Sequence, residues 1–223
     1  RAIDALTQGA VGKGIFAIRE KQGVVPLAWG EDGFRELTNS KREVRKPDDL
    51  KGLKIRVVGS PLFVATFQAL GANPTQMSWA DAQPALASGA VDGQENPMSI
   101  FTAAKLQNVG QKNLTMWGYV ADPLVFVINK EVWESWTPAD RDIVRQAALD
   151  AGKQQIAIAR KGLDESGQPL LKDIEGLGVK VVHLTPAERA EFVKATRGVY
   201  DQWKKQIGEG LVSKAESAVA ARK

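Results

Sequence analysis

The sequence predicts an α/β fold, and two observations carry that prediction. Between residues 53 and 129, short β-branched segments alternate with short helical ones, the pattern of an at least partly parallel sheet connected through helices. One of those segments, LVFVI from Leu124, has no polar face, as befits a strand covered on both sides.

Residues 2–22 read as a helix, with Ile3, Leu6, Ala10, Val11, Ile15 and Ile18 near a 3.6-residue period and Gly23 as the stop. VVPLAWG (24–30) and FRELTN (34–39) are expected as two separate strands. The stretch 40–52 is polar and carries Pro47, hence a loop, and LKIRVV (53–58) is a compact strand. Ser60 followed by Pro61 opens a helix reaching about Leu70. Next come a strand from Asn73 to Trp79, a short helix Asp81–Ser88 and a strand Val91–Glu95. Pro97–Leu106 reads as a helix, and Leu114–Tyr119 and Leu124–Asn129 as two further strands. Residues 137–172 form a long helical pattern capped by Thr137, with Ile143, Ala147, Ala151 and Ile158 as its buried stripe and a break near 162–167. After a strand Val179–His183, Thr185 caps a last helix through about Leu211, with Phe192, Val199 and Trp203 on its inner face.

Composition narrows the function. Thirty basic residues against twenty-six acidic ones give a net charge of +4. They are interleaved rather than gathered into the basic face a nucleic-acid binder needs. The densest group, Lys41, Arg42, Arg45 and Lys46, is diluted by Glu43, Asp48 and Asp49 and reads as a solvated loop. The absence of cysteine rules out disulfide frameworks, thiolate zinc sites and cysteine nucleophiles. No run approaches the roughly eighteen apolar residues of a membrane-spanning helix. The chain opens at Arg1 directly into a helical pattern, with no signal peptide, so processing or a partial reading frame is expected to have removed its beginning.

Catalytic chemistry finds little support. The single histidine, His183, ends a strand beside a helix cap and reads as structural. GAVGKG (9–14) lies inside a helical pattern and matches neither a P-loop nor a dinucleotide fingerprint. Asp92 and Glu95 lack metal-ligand spacing and read as turn and hydrogen-bonding residues. No catalytic residue, metal or cofactor is expected. What remains suits an anion. Arg56 stands between Ile55 and Val57 in an apolar strand, and a buried guanidinium needs an anionic partner. That partner is either one of the chain's own carboxylates or a ligand. Trp79 and Asn96 stand at other strand ends, where α/β sheets bind ligands; core packing for the first and helix capping for the second are equally open readings.

The segment 34–97 carries FRELTN, DLKGLKIR, FQALGANP and GAVDGQENP in order. It resembles the dicarboxylate-type (DctP) solute-binding proteins of tripartite ATP-independent periplasmic (TRAP) transporters. The resemblance continues through DPLVFVINKEVWESWTPADRDIV (122–144) and the long helix, covering essentially the whole chain.

That resemblance implies a periplasmic protein of two α/β lobes, joined by a hinge and spanned by a long helix, that closes around its ligand. It implies a partial first lobe from 1–33 and 122–161, its beginning missing here, and a second lobe from 34–121 and 162–223. The family's carboxylate-pairing arginine falls on Arg56, a further polar contact on Arg35, the pocket asparagine on Asn96 and the pocket aromatic on Trp79. Where many members carry a polar pair after the next strand, this chain has Trp117, Gly118 and Tyr119. That departure points to a flatter or more apolar ligand than a C4-dicarboxylate, with Trp117 and Tyr119 as further contacts. The implied partners are a small organic carboxylate and the membrane subunits of a TRAP transporter, and a monomer is expected. The alternatives are a small α/β enzyme using Arg56 to anchor a carboxylate substrate, and a bilobal ligand-sensing domain.

Overall fold

The computed structural model describes residues 1–163 and 166–221. Its elements are helices and strands in alternation, with one six-stranded sheet. The chain divides into two compact units, residues 1–33, 121–161 and 204–223 in the first and 34–120 and 162–203 in the second. The sequence reading places 204–223 with the second group; of the described residues, 204–221 fall in the first.

The second unit holds most of the sheet. Its strands are β1 (Val24–Asn39), β2 (Lys54–Val57), β3 (Asn73–Gln76), β4 (Gly93–Asn96), β5 (Asn113–Asn129) and β6 (Lys180–His183). They lie in the order β3-β2-β4-β1-β5-β6. β2 runs parallel to both β3 and β4, while β1 runs antiparallel to β4 with Glu36 opposite Asn96. Flanked on both edges, β2 buries Ile55, Arg56 and Val57 together and leaves Lys54 exposed. Helices α3 (Pro61–Ala69), α4 (Trp79–Ser88), α5 (Met98–Ala103), α8 (Pro169–Gly176) and α9 (Pro186–Ile207) accompany it. Two apolar clusters form its core, one around Leu37, Ile55, Phe67, Trp117 and Phe192, the other around Leu86, Met98, Phe101, Leu114 and Ile174. A fully buried phenylalanine such as Phe67 contributes about 1.5–3 kcal/mol of transfer free energy.

Two pairs of predicted strands prove continuous. Segments 24–30 and 34–39 are one strand, β1, and 114–119 and 124–129 are one strand, β5. The glycine and proline signals between them mark bends within strands, not their ends. β3 also stops earlier than expected: Ser78 is a helix cap accepting the Asp81 N–H at 3.2 Å, so Trp79 begins α4 and does not end β3.

The first unit contains the outer halves of β1 and β5 with α1 (Ala2–Gln8), α2 (Ala10–Glu20), α6 (Lys130–Ser135), α7 (Pro138–Arg160) and α10 (Glu209–Ala220). The single helix expected over 2–22 is two, parted at Gly9, and the one expected over 185–211 is α9 and α10, parted at Gly208. The long pattern over 137–172 breaks where expected: α7 ends at Arg160 and α8 begins at Pro169, residues 164 and 165 lying outside the described residues.

The buried stripe predicted for α7 is displaced by one residue. Ile143 and Ile158 are 69% and 72% exposed, and Ala147 and Ala151 are exposed too. The packed face carries Val144, Ala148, Gly152, Gln155 and Ala159. Its cause is a close approach to β1: a Cβ on Gly152 would stand 2.5 Å from the Trp29 carbonyl oxygen. The Gln155 amide both donates to and accepts from the Glu31 backbone at 2.8 Å, completing the strand edge. A rotation of one residue is about 100° around a helix, so these two small or polar residues, not the isoleucines, decide which face packs.

Candidate functional site

The site residues of the second unit gather at the carboxyl ends of three parallel strands, β2, β3 and β4. Arg56 projects from β2 and is 4% exposed. Its Nε and Nη2 donate to one acceptor, the Met77 carbonyl, at 3.0 and 2.8 Å. Its guanidinium carbon lies 5.4 Å from the centre of the Trp79 ring, a cation–π distance. Among the described residues no carboxylate forms an ion pair with it. Burial pushes its pKa down; the field of Glu95 opposes that shift and the field of Arg35 adds to it.

Arg35 is different. It lies on β1 and is 3% exposed. Its Nε donates to Glu95 Oε2, and its Nη2 donates to Glu95 Oε1 at 3.0 Å, to the Glu95 carbonyl at 2.8 Å and to Asn96 Oδ1 at 3.1 Å. Its guanidinium also stands over the Phe63 ring, 5.6 Å from the centre. The chain's own carboxylate, one of the two alternatives for Arg56, is thus committed to Arg35. Asn96 does not cap α5, whose N-cap is Pro97. It closes a buried chain in which its Nδ2 donates to Gln94 Oε1 and Gln94 Nε2 donates to Thr38 Oγ1 at 2.8 Å. Such a network holds the amide in one orientation.

The aromatic residues separate. Trp79, half-buried, packs on the cluster around Met98 and Phe101 while facing Arg56. Trp117 is 4% exposed and packs among Phe67, Tyr119 and Phe192. Tyr119 meets Phe63 edge-on at 5.8 Å, and so reaches Arg35 through that ring. Arg56, Trp79, Arg35 and Asn96 therefore converge, Tyr119 stands one ring away, and Trp117 lies in the core beneath.

Sequence reasoning missed three contributors. Glu95 was read only as a hydrogen-bonding residue, although a charge inside a buried strand demands a partner, and Arg35 supplied it. Phe63 and the Met77 carbonyl had no signal, because one is an ordinary helix residue and the other is backbone.

The profile of the family described as "Bacterial extracellular solute-binding protein, family 7" matches residues 1–206. The chain belongs to that family. A solute-binding protein of Verminephrobacter eiseniae is 36% identical over 214 residues, covering 96% of this chain and 62% of its own length; the family 7 chain thus spans less than two thirds of that relative. Among solved structures, a TRAP periplasmic solute-binding protein of Ralstonia eutropha H16, bound to (S)-2-acetolactate, is 74% identical with a TM-score of 0.97, over 99% of this chain and 70% of that one. The sugar acid binding protein of Advenella mimigardefordensis, in complex with galactonate, is 30% identical with a TM-score of 0.93, over 100% and 70%. The α/β fold of the family 7 chain is therefore that of TRAP solute-binding proteins, a family of binding proteins and not of enzymes.

Proposed function

We propose that this chain, as part of a periplasmic solute-binding protein, captures a small organic monocarboxylate and delivers it to the membrane subunits of a TRAP transporter without acting on it chemically. One observation carries the reading: Arg56 is a buried guanidinium without a carboxylate partner, while the neighbouring Arg35 has Glu95. Arg56 thus keeps a buried positive charge that only a carbonyl and an aromatic face attend. A planar carboxylate matches the guanidinium fork and neutralises that charge.

Asn96, Arg35 and Trp79 define what else the ligand carries. The amide and guanidinium suit a hydroxyl or keto oxygen beside the carboxylate, and the indole face suits a flat or CH-rich group. Acetolactate, the ligand of the Ralstonia protein, has one carboxylate, one hydroxyl and one keto group; galactonate, the ligand of the Advenella protein, is also a monocarboxylate. Both support a monocarboxylate over a compact dicarboxylate.

A thermal-shift screen of the full-length protein against acetolactate, sugar acids, succinate, malate and neutral sugars tests this. At a hundredfold excess over its dissociation constant, a bound ligand adds about 2.7 kcal/mol. Acetolactate or a related hydroxy or keto monocarboxylate should give the largest shift. Shifts from neutral sugars alone would overturn the carboxylate reading, whereas a win for succinate or malate would overturn only the monocarboxylate preference.

A further inference from the structure

Beside the cluster of Arg56, Arg35 and Asn96 lies a buried acid that does not join it. Glu36 follows Arg35 on β1, is 4% exposed and stands opposite Asn96 in the β1–β4 ladder. Its Oε2 accepts two backbone N–H groups of β5, from Trp117 at 2.7 Å and Gly118 at 2.8 Å. From the same two residues, Arg189 of α9 takes the carbonyls as acceptors, donating Nε to that of Trp117 at 3.0 Å and Nη2 to that of Gly118 at 3.2 Å. Between them Gly118 takes φ +57°, the left-handed conformation that glycine adopts without strain. Two successive N–H groups converging on one oxygen form a bend in β5 that its ladder alone would not hold.

The next residue is Tyr119, whose ring meets Phe63 edge-on, and Phe63 lies under the Arg35 guanidinium. A short physical path thus runs from the Glu36 carboxylate through the bend and two rings to Arg35 and its partner Asn96. We propose that Glu36 is a positioning residue: by clamping the bend at Trp117 and Gly118, it holds Tyr119 against Phe63 and so keeps Arg35 and Asn96 in register for the ligand carboxylate. This rests on the carboxylate reading above for its ligand, but its structural half stands alone.

The charge on the clamp governs its strength, since hydrogen bonds to an ionised acceptor are about twice as strong as neutral ones. Burial pushes Glu36 up to about 7; the two N–H groups and Arg189 oppose that shift. The groups facing it are Arg189 from α9, two backbone N–H groups from β5 and the neutral Asn96 across β4. As pH falls through about 7 the clamp becomes neutral and weakens, so ligand affinity should fall with it.

Wild-type protein, Glu36→Gln and Glu36→Leu are compared at a temperature where circular dichroism shows all three folded. In ligand-free protein, nuclear Overhauser contacts between the Tyr119 and Phe63 rings should persist in the Gln variant, which retains an acceptor oxygen, and vanish in the Leu variant. With acetolactate as the calorimetric probe, Glu36→Leu should lose about tenfold or more in affinity, the scale of one or two charge-assisted bonds. Wild-type affinity should drop between pH 8 and 5.5, and the Gln variant should show no such step. Ring contacts intact in a folded Leu variant, or a flat wild-type affinity across that range, would overturn the proposal. If acetolactate fails to bind at any pH while the ring contacts respond as stated, the clamp stands and the ligand reading falls.

Discussion

Each unit of this chain holds a cluster of arginines and carboxylates, and the two clusters differ in how their arginines are paired. In the first unit Arg160 of α7 donates to both Glu31 oxygens, with Nε at 3.1 and 3.0 Å, and to Asp4 at 2.6 Å. Arg1 donates to the same Glu31 at 3.1 Å. Both guanidiniums meet carboxylates, and the cluster ties α1, β1 and α7 together. In the second unit Arg35 meets Glu95, whereas Arg56 forms no ion pair with a carboxylate among the described residues. A cluster of paired arginines serves the fold. An arginine held by a carbonyl and an aromatic face gains most from an arriving anion.

The largest expected effect tests the paired side of that contrast. Arg35→Ala leaves Glu95, fully buried, without its cation, and breaking a buried pair costs about 3–5 kcal/mol of stability. Chemical denaturation should show it; an unchanged midpoint would mean that Glu95 finds another partner.

Arg56→Ala should behave in the opposite way. Stability should hold or rise, because an unpaired buried charge is removed, while affinity for the carboxylate falls by about 2–5 kcal/mol. Arg56→Lys should recover only part of it, since a point charge cannot reproduce the planar fork. Calorimetry that finds full affinity in the Ala variant would remove Arg56 from the site.

The pH responses of the two units should also oppose each other. Glu36 has its folded pKa raised by burial to about 7 from an ordinary 4.5. Its contribution to stability is therefore full below 4.5 and is lost as pH rises through 7, a change on the order of 3 kcal/mol. Glu36→Gln should lack that decline. The measurement is denaturant unfolding between pH 4.5 and 8, and parallel wild-type and Gln curves would refute it.

The smallest effect belongs to Asp4. Its hydrogen bonds from Arg160 and from the chain's first amino group hold its pKa at about 2, below an ordinary 3.8. Stability from that group is present above 3.8 and fades as pH falls toward 2. Being partly exposed, it should contribute a shallow acid slope that Asp4→Asn lacks. Equal slopes in the two proteins would show that Arg160 spends its hydrogen bonds on Glu31 alone.

Much of this was open to reading in one dimension. Although LVFVI, expected to be covered on both sides, leaves Leu124, Phe126 and Val127 exposed, the alternation over 53–129 pointed to the α/β sheet, LKIRVV to a compact strand, Thr137 to the start of α7 and Phe192, Val199 and Trp203 to the inner face of α9. Such features arise from local chemistry and from the periodicity of one element. The stripe on α7 was misplaced because a close approach at Gly152 and an amide at Gln155 outweighed the isoleucines. β1 and β5 were each cut in two because glycine and proline announce a backbone irregularity, not whether the ladder continues past it.

What the sequence alone determined was the identity of the charged groups and the strands that carry them: Arg35 and Glu36 on one, Arg56 on another, Glu95 and Asn96 on a third. Which partner each would take was decided only by the tertiary structure. β4 lies between β2 and β1, and its register places Glu95 opposite Leu37, on the face of Arg35 two residues away, while Gln94 stands opposite Arg56; register set by the packing of the sheet thus chose which arginine took the carboxylate. Coulomb interactions in a low-dielectric interior depend on distances of a few ångströms, and distances between residues sixty positions apart exist only once the sheet has formed.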